Sequence, residues 1–272
     1  MAITPFQRTL CCLLAETRIA SGESYVAGGV ALNEILAAPR RSRDIDLFHD
    51  TDAALQASWD ADRALLEKNG FKVTVLRERP ALVEARVASG GDVVVVEWAR
   101  DSAYRFFPLV QHPELGLVLH PFDLATNKVL ALVGRLEPRD WVDVIECDQR
   151  LQPLGYLAWA ASGKDPGFSP KAILEDAARG ARYSAAEIRS LDFEGEAPDA
   201  AALSRGWHAM LAAARDVVET LSPEQVGRCV LADTGDLFRG DPAALRVAVT
   251  GGGIRFHPGS IRGALPILAE RS

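Results

Sequence analysis

Between residues 71 and 97 the chain runs through three β-branched-rich segments in succession, Phe71–Leu76, Leu82–Val87 and Val93–Glu97. They are separated by Arg79-Pro80 and Gly90-Gly91. Short apolar runs bounded by such turn formers are strands, so this part of the chain is committed to a sheet. From Pro121 the period changes. Leu124, Ala125, Lys128, Val129 and Leu132 recur at helical spacing, and Pro138 suits the first turn of a further helix over Arg139–Cys147. Strands that give way to helices along 272 residues point to an α+β chain with about two domains. We expect a mixed sheet with flanking helices in residues 1–120 and a mainly helical domain in residues 121–272 that completes a cleft.

The stretch before the strands has its own punctuation. Phe6, Leu10, Leu13 and Leu14 mark a helix from Pro5 to Ile19, ended by Gly22. A short strand around Tyr25-Val26 runs into Gly28-Gly29 and a helix through Val30, Leu32, Ile35 and Leu36, closed by Pro39. In Asp44-Ile45-Asp46-Leu47 apolar residues alternate with carboxylates, a strand pattern, and Leu55–Lys68 reads as a helix. A further strand is expected over Leu115–Leu119. Beyond Leu151 helices are expected over Pro170–Ala181, Ser184–Leu191, Ala200–Leu221 and Pro223–Leu231.

Asp44 and Asp46 are two residues apart on an expected strand, so both carboxylates leave the same face while Ile45 and Leu47 face the core. Two carboxylates so placed repel unless a cation lies between them, and oxygen donors alone suit Mg²⁺ or Mn²⁺. The plainer reading is a pair of solvated acids at a strand end. Gly28-Gly29 sits between a strand and a helix, where glycines let backbone N–H groups approach phosphate oxygens; an ordinary tight turn would look the same. Glu97 ends the run Val93–Val96. If that strand lies beside Asp44–Asp46, it completes a three-carboxylate site. On the helices, Lys128 and Arg135 are seven apart and share a face, and Arg139, Asp140 and Asp143 open the next helix, where acids are favourable. This is a salt-bridge network between helices, a lysine orientated by acids to hold phosphate, or both.

Three blocks in this order resemble a known family: Gly28-Gly29-Val30-Ala31-Leu32 followed by Arg40 to Phe48; Val96 to Arg105 with Glu97, Asp101 and Ser102; and Asp123 to Asp143 with Lys128, Arg135, Arg139 and Asp140. The chain resembles the AbiEii/AbiGii-type, MenT-like nucleotidyltransferases of the DNA polymerase β-type superfamily. The resemblance covers about residues 25 to 147. It implies a nucleotidyltransferase-like core, with Asp44, Asp46 and Glu97 as metal acids for Mg²⁺ or Mn²⁺, Lys128 on the triphosphate of an NTP and Asp140 as an essential acid. Glu97 replaces the family's commoner aspartate. Gly-Gly replaces the Gly-Ser of many superfamily members, and Ser42 is the candidate for the missing hydroxyl contact to phosphate. The implied reaction moves an NMP to an acceptor, a tRNA-like RNA, as the toxin of a toxin–antitoxin or abortive-infection system with a cognate antitoxin. Nucleotidylation of a protein, or a catalytically silent nucleotide- or partner-binding chain, are the alternatives.

Composition narrows the partners. Lys+Arg 30 against Asp+Glu 37 leaves a net charge of -7, which argues against nonspecific coating of nucleic acid. An RNA acceptor would need a local basic face. Arg239, Arg246, Arg255 and Arg262, with Gly251-Gly252-Gly253 and Phe256, make residues 236–263 a candidate clamp for a strand end, or else an arm that packs on the helical domain. No apolar run approaches a membrane span and no secretory leader is evident, so a cytoplasmic protein with no membrane partner is expected. Cys11, Cys12, Cys147 and Cys229 read as buried thiols.

Overall fold

The computed structural model describes residues 3–180 and 183–267. In chain order the elements are α1 (Pro5–Ser21), β1 (Ser24–Ala27), α2 (Gly28–Leu36), β2 (Asp44–His49), α3 (Asp52–Lys68), β3 (Lys72–Arg79), β4 (Leu82–Ser89), β5 (Asp92–Arg100), β6 (Tyr104–Arg105), β7 (Val110–His112), β8 (Gly116–Val118), α4 (Pro121–Arg135), α5 (Pro138–Arg150), α6 (Leu154–Ala161), α7 (Pro170–Gly180), α8 (Ala185–Arg189), α9 (Ala200–Thr220), β9 (Arg228–Ala232), α10 (Pro242–Gly251), β10 (Ile254–Pro258) and β11 (Ser260–Ile261). They form two compact units. The first takes residues 1–103, 109–120 and 192–195; the second takes 104–108, 121–191 and 196–272.

The first unit is a seven-stranded mixed sheet in the order β3-β4-β5-β2-β1-β8-β7 with helices packed on it. β2 runs parallel to β5 and antiparallel to β1, and β1 runs parallel to β8. Burial alternates strictly along β2: Ile45, Leu47 and His49 are buried, while Asp44, Asp46 and Phe48 are only partly covered. β4 and β5 repeat this with Val83, Ala85 and Val87 and with Val94, Val96 and Trp98. The buried face is covered by α1 and α3, and Trp59 of α3 meets Trp98 edge to face at 4.8 Å. Residues 192–195 return to this unit. Arg41 N–H donates to the Asp192 carbonyl at 2.8 Å and Glu194 N–H donates to the Pro39 carbonyl at 2.7 Å, which pins the loop leading into β2.

The second unit is helical around α4, α5, α6, α7 and α9, with two small sheets, β9 with β10 and β6 with β11. One core gathers Tyr156, Trp159, Val217, Leu221, Val230 and Leu245. The helix expected over Pro223–Leu231 is not there. Pro223–Gln225 is a single 3-10 turn and Arg228 opens a strand. Gly227, at φ 81, breaks the helical path, and the buried run Cys229-Val230-Leu231 is short enough to suit either period. Ala181, where the sequence pattern ends another helix, lies outside the described residues.

The stretch expected either to clamp RNA or to pack is part of this unit's framework. Arg255 and Phe256 lie on β10 opposite Leu231 and Val230, and Ser260 and Ile261 of β11 pair with Arg105 and Tyr104 of β6. His257 Nε2 bonds the carbonyls of Phe106 and Ala264 at 2.8 and 3.0 Å. One thiol also departs from expectation: Cys12 is exposed, whereas Cys11, Cys147 and Cys229 are buried. No helix among the described residues is long and apolar enough to cross a membrane.

Candidate active site

In the first unit the sheet register brings the acids together. Asp46 of β2 is the direct partner of Glu97 on the parallel strand β5, and Asp44 lies opposite Val95. Paired residues on neighbouring strands project from the same face, with strands about 4.8 Å apart. Asp44, Asp46 and Glu97 therefore share the less buried face of the sheet, and all three are partly exposed. A non-local pairing thus supplies the neighbour that the spacing of Asp44 and Asp46 left open.

Gly28 and Gly29 open α2 directly beside them. Gly28 has φ 63, and a Cβ there would lie 1.6 Å from Asp46 Oδ2. The positive φ favours glycine, and a side chain there would displace the Asp46 carboxylate. A Cβ at Gly29 would meet Ser42 Oγ at 2.7 Å and Arg40 Nη2 at 2.8 Å. The N-cap of α2, Ala27, has no side chain able to cap the helix. Such a helix start suits an anion.

Ser42 is buried, and its hydroxyl donates to Asp44 Oδ1 at 2.8 Å. Its carbonyl accepts from Gln7 Nε2 of α1 at 2.8 Å, which fixes the loop. Ser42 therefore orientates Asp44 here. Arg40, to which the sequence pattern gives no role, is also buried; its guanidinium against Gly29 makes it a basic member of this cluster. Asn33, one helical turn beyond Gly29, is fully buried and neither its Oδ1 nor its Nδ2 has a hydrogen-bond partner. Spacing from the glycines could have marked Asn33 in the sequence; burial could not be read there.

As they stand, no three His, Cys, Asp or Glu side chains among the described residues are arranged to hold a metal ion. By donor type the three carboxylates, on one sheet face with two of them register partners, offer only hard oxygen ligands of the kind Mg²⁺ and Mn²⁺ take.

Lys128 and Asp140 lie in the second unit. Lys128 Nζ sits 3.0 Å from Asp140 Oδ1 and 3.0 Å from Asp143 Oδ2, and both carboxylates are fully buried. Arg135 adds a bidentate contact to Asp140, Nε to Oδ2 at 2.6 Å and Nη2 to Oδ1 at 2.9 Å. Burial alone would raise the Asp140 pKa, but the Arg135 hydrogen bonds and the Lys128 charge outweigh it and hold the carboxyl below its usual value. The salt-bridge network between α4 and α5 is thus present, and Lys128 is orientated by two acids.

No known family model matches the chain, and no curated protein matches it in sequence. Solved structures are similar to it in three dimensions. JHP933 from Helicobacter pylori is 13% identical over 78% of this chain and 91% of its own, with a TM-score of 0.50. MenT4, a nucleotidyltransferase toxin from Mycobacterium tuberculosis H37Rv, is 16% identical over 80% of this chain and 83% of its own, with a TM-score of 0.49. The likeness to JHP933 is one of fold: a mixed sheet with flanking helices.

Proposed function

We propose that this chain is a nucleotidyltransferase of the MenT-like type, which moves a nucleoside monophosphate from an NTP to the hydroxyl of an RNA acceptor. The observation that carries the reading is the register pairing of Asp46 with Glu97, beside a glycine whose Cβ would occupy the Asp46 carboxylate. The resemblance of three ordered sequence blocks supports it.

In the reaction an acceptor hydroxyl oxygen bonds the α-phosphorus, the bond to the bridging oxygen of the β-phosphate breaks, and pyrophosphate leaves. The N–H groups at the start of α2 face phosphate oxygens, Ser42 holds Asp44 in place, and Asp46 is kept against Gly28. The hydroxyl proton passes to one of the acids. Asp44, Asp46 and Glu97 would hold Mg²⁺ or Mn²⁺, which supplies charge neutralisation for the triphosphate. Lys128, braced by Asp140 and Asp143, is assigned to the triphosphate and Asp140 to the lysine's orientation, both following the resemblance. A cytoplasmic toxin held in check by an antitoxin is the biological setting that this reading favours.

The test is incubation of the protein with each labelled NTP and total RNA, with Mg²⁺ or Mn²⁺. Label in RNA, lost in Asp46→Asn, is expected. Label on protein alone would move the acceptor to the other class, and no transfer with any NTP would overturn the reading.

A further inference from the structure

The sheet face that carries the acids does not end with them. In the first unit Glu97 pairs across to Glu84 of β4, and Glu84 to Arg77 of β3; in the next row Asp44 pairs with Val95, Val95 with Arg86 and Arg86 with Thr74. Lys72 pairs with Ala88, and Arg79 with Leu82. Lys72, Arg77, Arg79 and Arg86 therefore share the face of Asp44, Asp46 and Glu97, and all four are exposed. Arg77 has one long contact, Nε to Glu84 Oε2 at 3.7 Å. Among the described residues Lys72, Arg79 and Arg86 form no ion pair.

A β-bulge creates this arrangement. Lys72 and Thr74 alternate regularly on the face, and the same rhythm would next bring Leu76 and Glu78 there. The register shifts between Val75 and Arg77, so Arg77 and Arg79 come round instead. An apolar residue and an acid are replaced on the face by two guanidinium groups. Charges on β3 would serve to protect a sheet edge. Arg86 lies on β4, an interior strand, where edge protection asks for nothing.

We infer that this open face of β3 and β4 is the acceptor surface, binding the phosphate backbone of an RNA strand whose reacting end lies over Asp44 and Asp46; the inference rests on the nucleotidyltransferase reading above. At about 4.8 Å per strand, the Arg86 Cα lies about 10 Å from that of Asp44, and the Arg77 Cα about 14 Å from that of Asp46. A chain of net charge -7 repels nucleic acid in general, so a local patch of four cations on β3 and β4, offset among them by Glu84 alone, is what selects a polyanion beside the acids. The exposed Val93, on the same face, offers apolar contact to a base or sugar.

The experiment is fluorescence polarisation of labelled tRNA with the full chain at increasing KCl, without NTP. Arg79→Gln/Arg86→Gln is compared with a control of equal charge change, Arg63→Gln/Arg100→Gln, at positions already paired to Glu67 and Asp52. Losing two phosphate contacts should lower the salt slope by about 1.4–1.8 and weaken binding roughly 25–60-fold at 0.1 M salt, with melting temperature unchanged. The control should bind as the wild type does. Equal losses in both doubles, unchanged binding in the first, or no tRNA binding by the wild type would each overturn the inference. Because binding is read without transfer, a chain that is inactive yet loses tRNA at Arg79 and Arg86 leaves the surface standing and places the failure in the transfer reading.

Discussion

Replacing Lys128 by methionine keeps the length of the side chain and removes its charge, and the structure sets the size of the effect. The ammonium is shared at 3.0 Å by Asp140 and Asp143, whose side chains are fully buried. Breaking a buried ion pair at one partner costs about 3–5 kcal/mol, because the remaining charge is held in a poorly solvating interior. Asp140 keeps its bidentate Arg135, so the lower end, about 3 kcal/mol, applies. For a unit of this size that is a fall of about 6–12 °C in melting temperature. The assay is thermal unfolding by near-ultraviolet circular dichroism at pH 7, with Lys128→Met/Asp143→Asn as a second variant. The double should recover part of the loss, since one of the two buried acids that faced the ammonium no longer carries a charge. The pH dependence has a defined sign. The lowered Asp140 pKa gives stability that is present above the ordinary carboxylate range and lost as pH falls through the folded value. A Lys128→Met protein that melts within about 1 °C of wild type, well inside the shift expected for even a modest pair, would refute the brace. Lost transfer in that same protein would make the lysine a phosphate ligand alone.

Three further outcomes are expected. Gly28→Ala should abolish transfer and lower stability, because its Cβ would lie 1.6 Å from Asp46 Oδ2 at a backbone angle of φ 63; single-turnover assay and thermal unfolding check both effects. Asp46→Asn should abolish transfer without lowering the melting temperature, since it removes one of two register-paired carboxylates; a drop of several degrees would show a structural role instead. Burial pushes the His49 imidazole down to about 4, so the unfolded chain binds its proton first as pH falls below about 6.5. Stability should therefore drop by roughly 2–3 kcal/mol between pH 7 and pH 4.5 from this residue, a contribution that urea unfolding should find missing in His49→Gln.

The local features of this chain are written in its residue order. Alternation makes Asp44 and Asp46 share a face and buries Ile45 and Leu47, and the structure has them so. Gly28-Gly29 marks a sharp strand-to-helix entry, and Pro138 the first turn of α5, because φ restrictions act within one or two residues. The mixed sheet with flanking helices follows from the same periodicities. Where a period was ambiguous, as in Cys229-Val230-Leu231, the sequence pattern read helix and the fold made strand, since only the pairing with β10 distinguishes them. What lies outside any local window is pairing. That Glu97 is the partner of Asp46 depends on the intervening chain being folded into α3, β3 and β4 before β5 comes back beside β2. The return of residues 192–195 to hold the loop before β2, the burial of Asn33 and Arg40, and the sharing of Lys128 by two acids belong to the same class. So does the one-residue bulge that turns Arg77 and Arg79 toward the acids. A single slip in register reverses every side chain on a strand, and register is decided by partners far away in sequence.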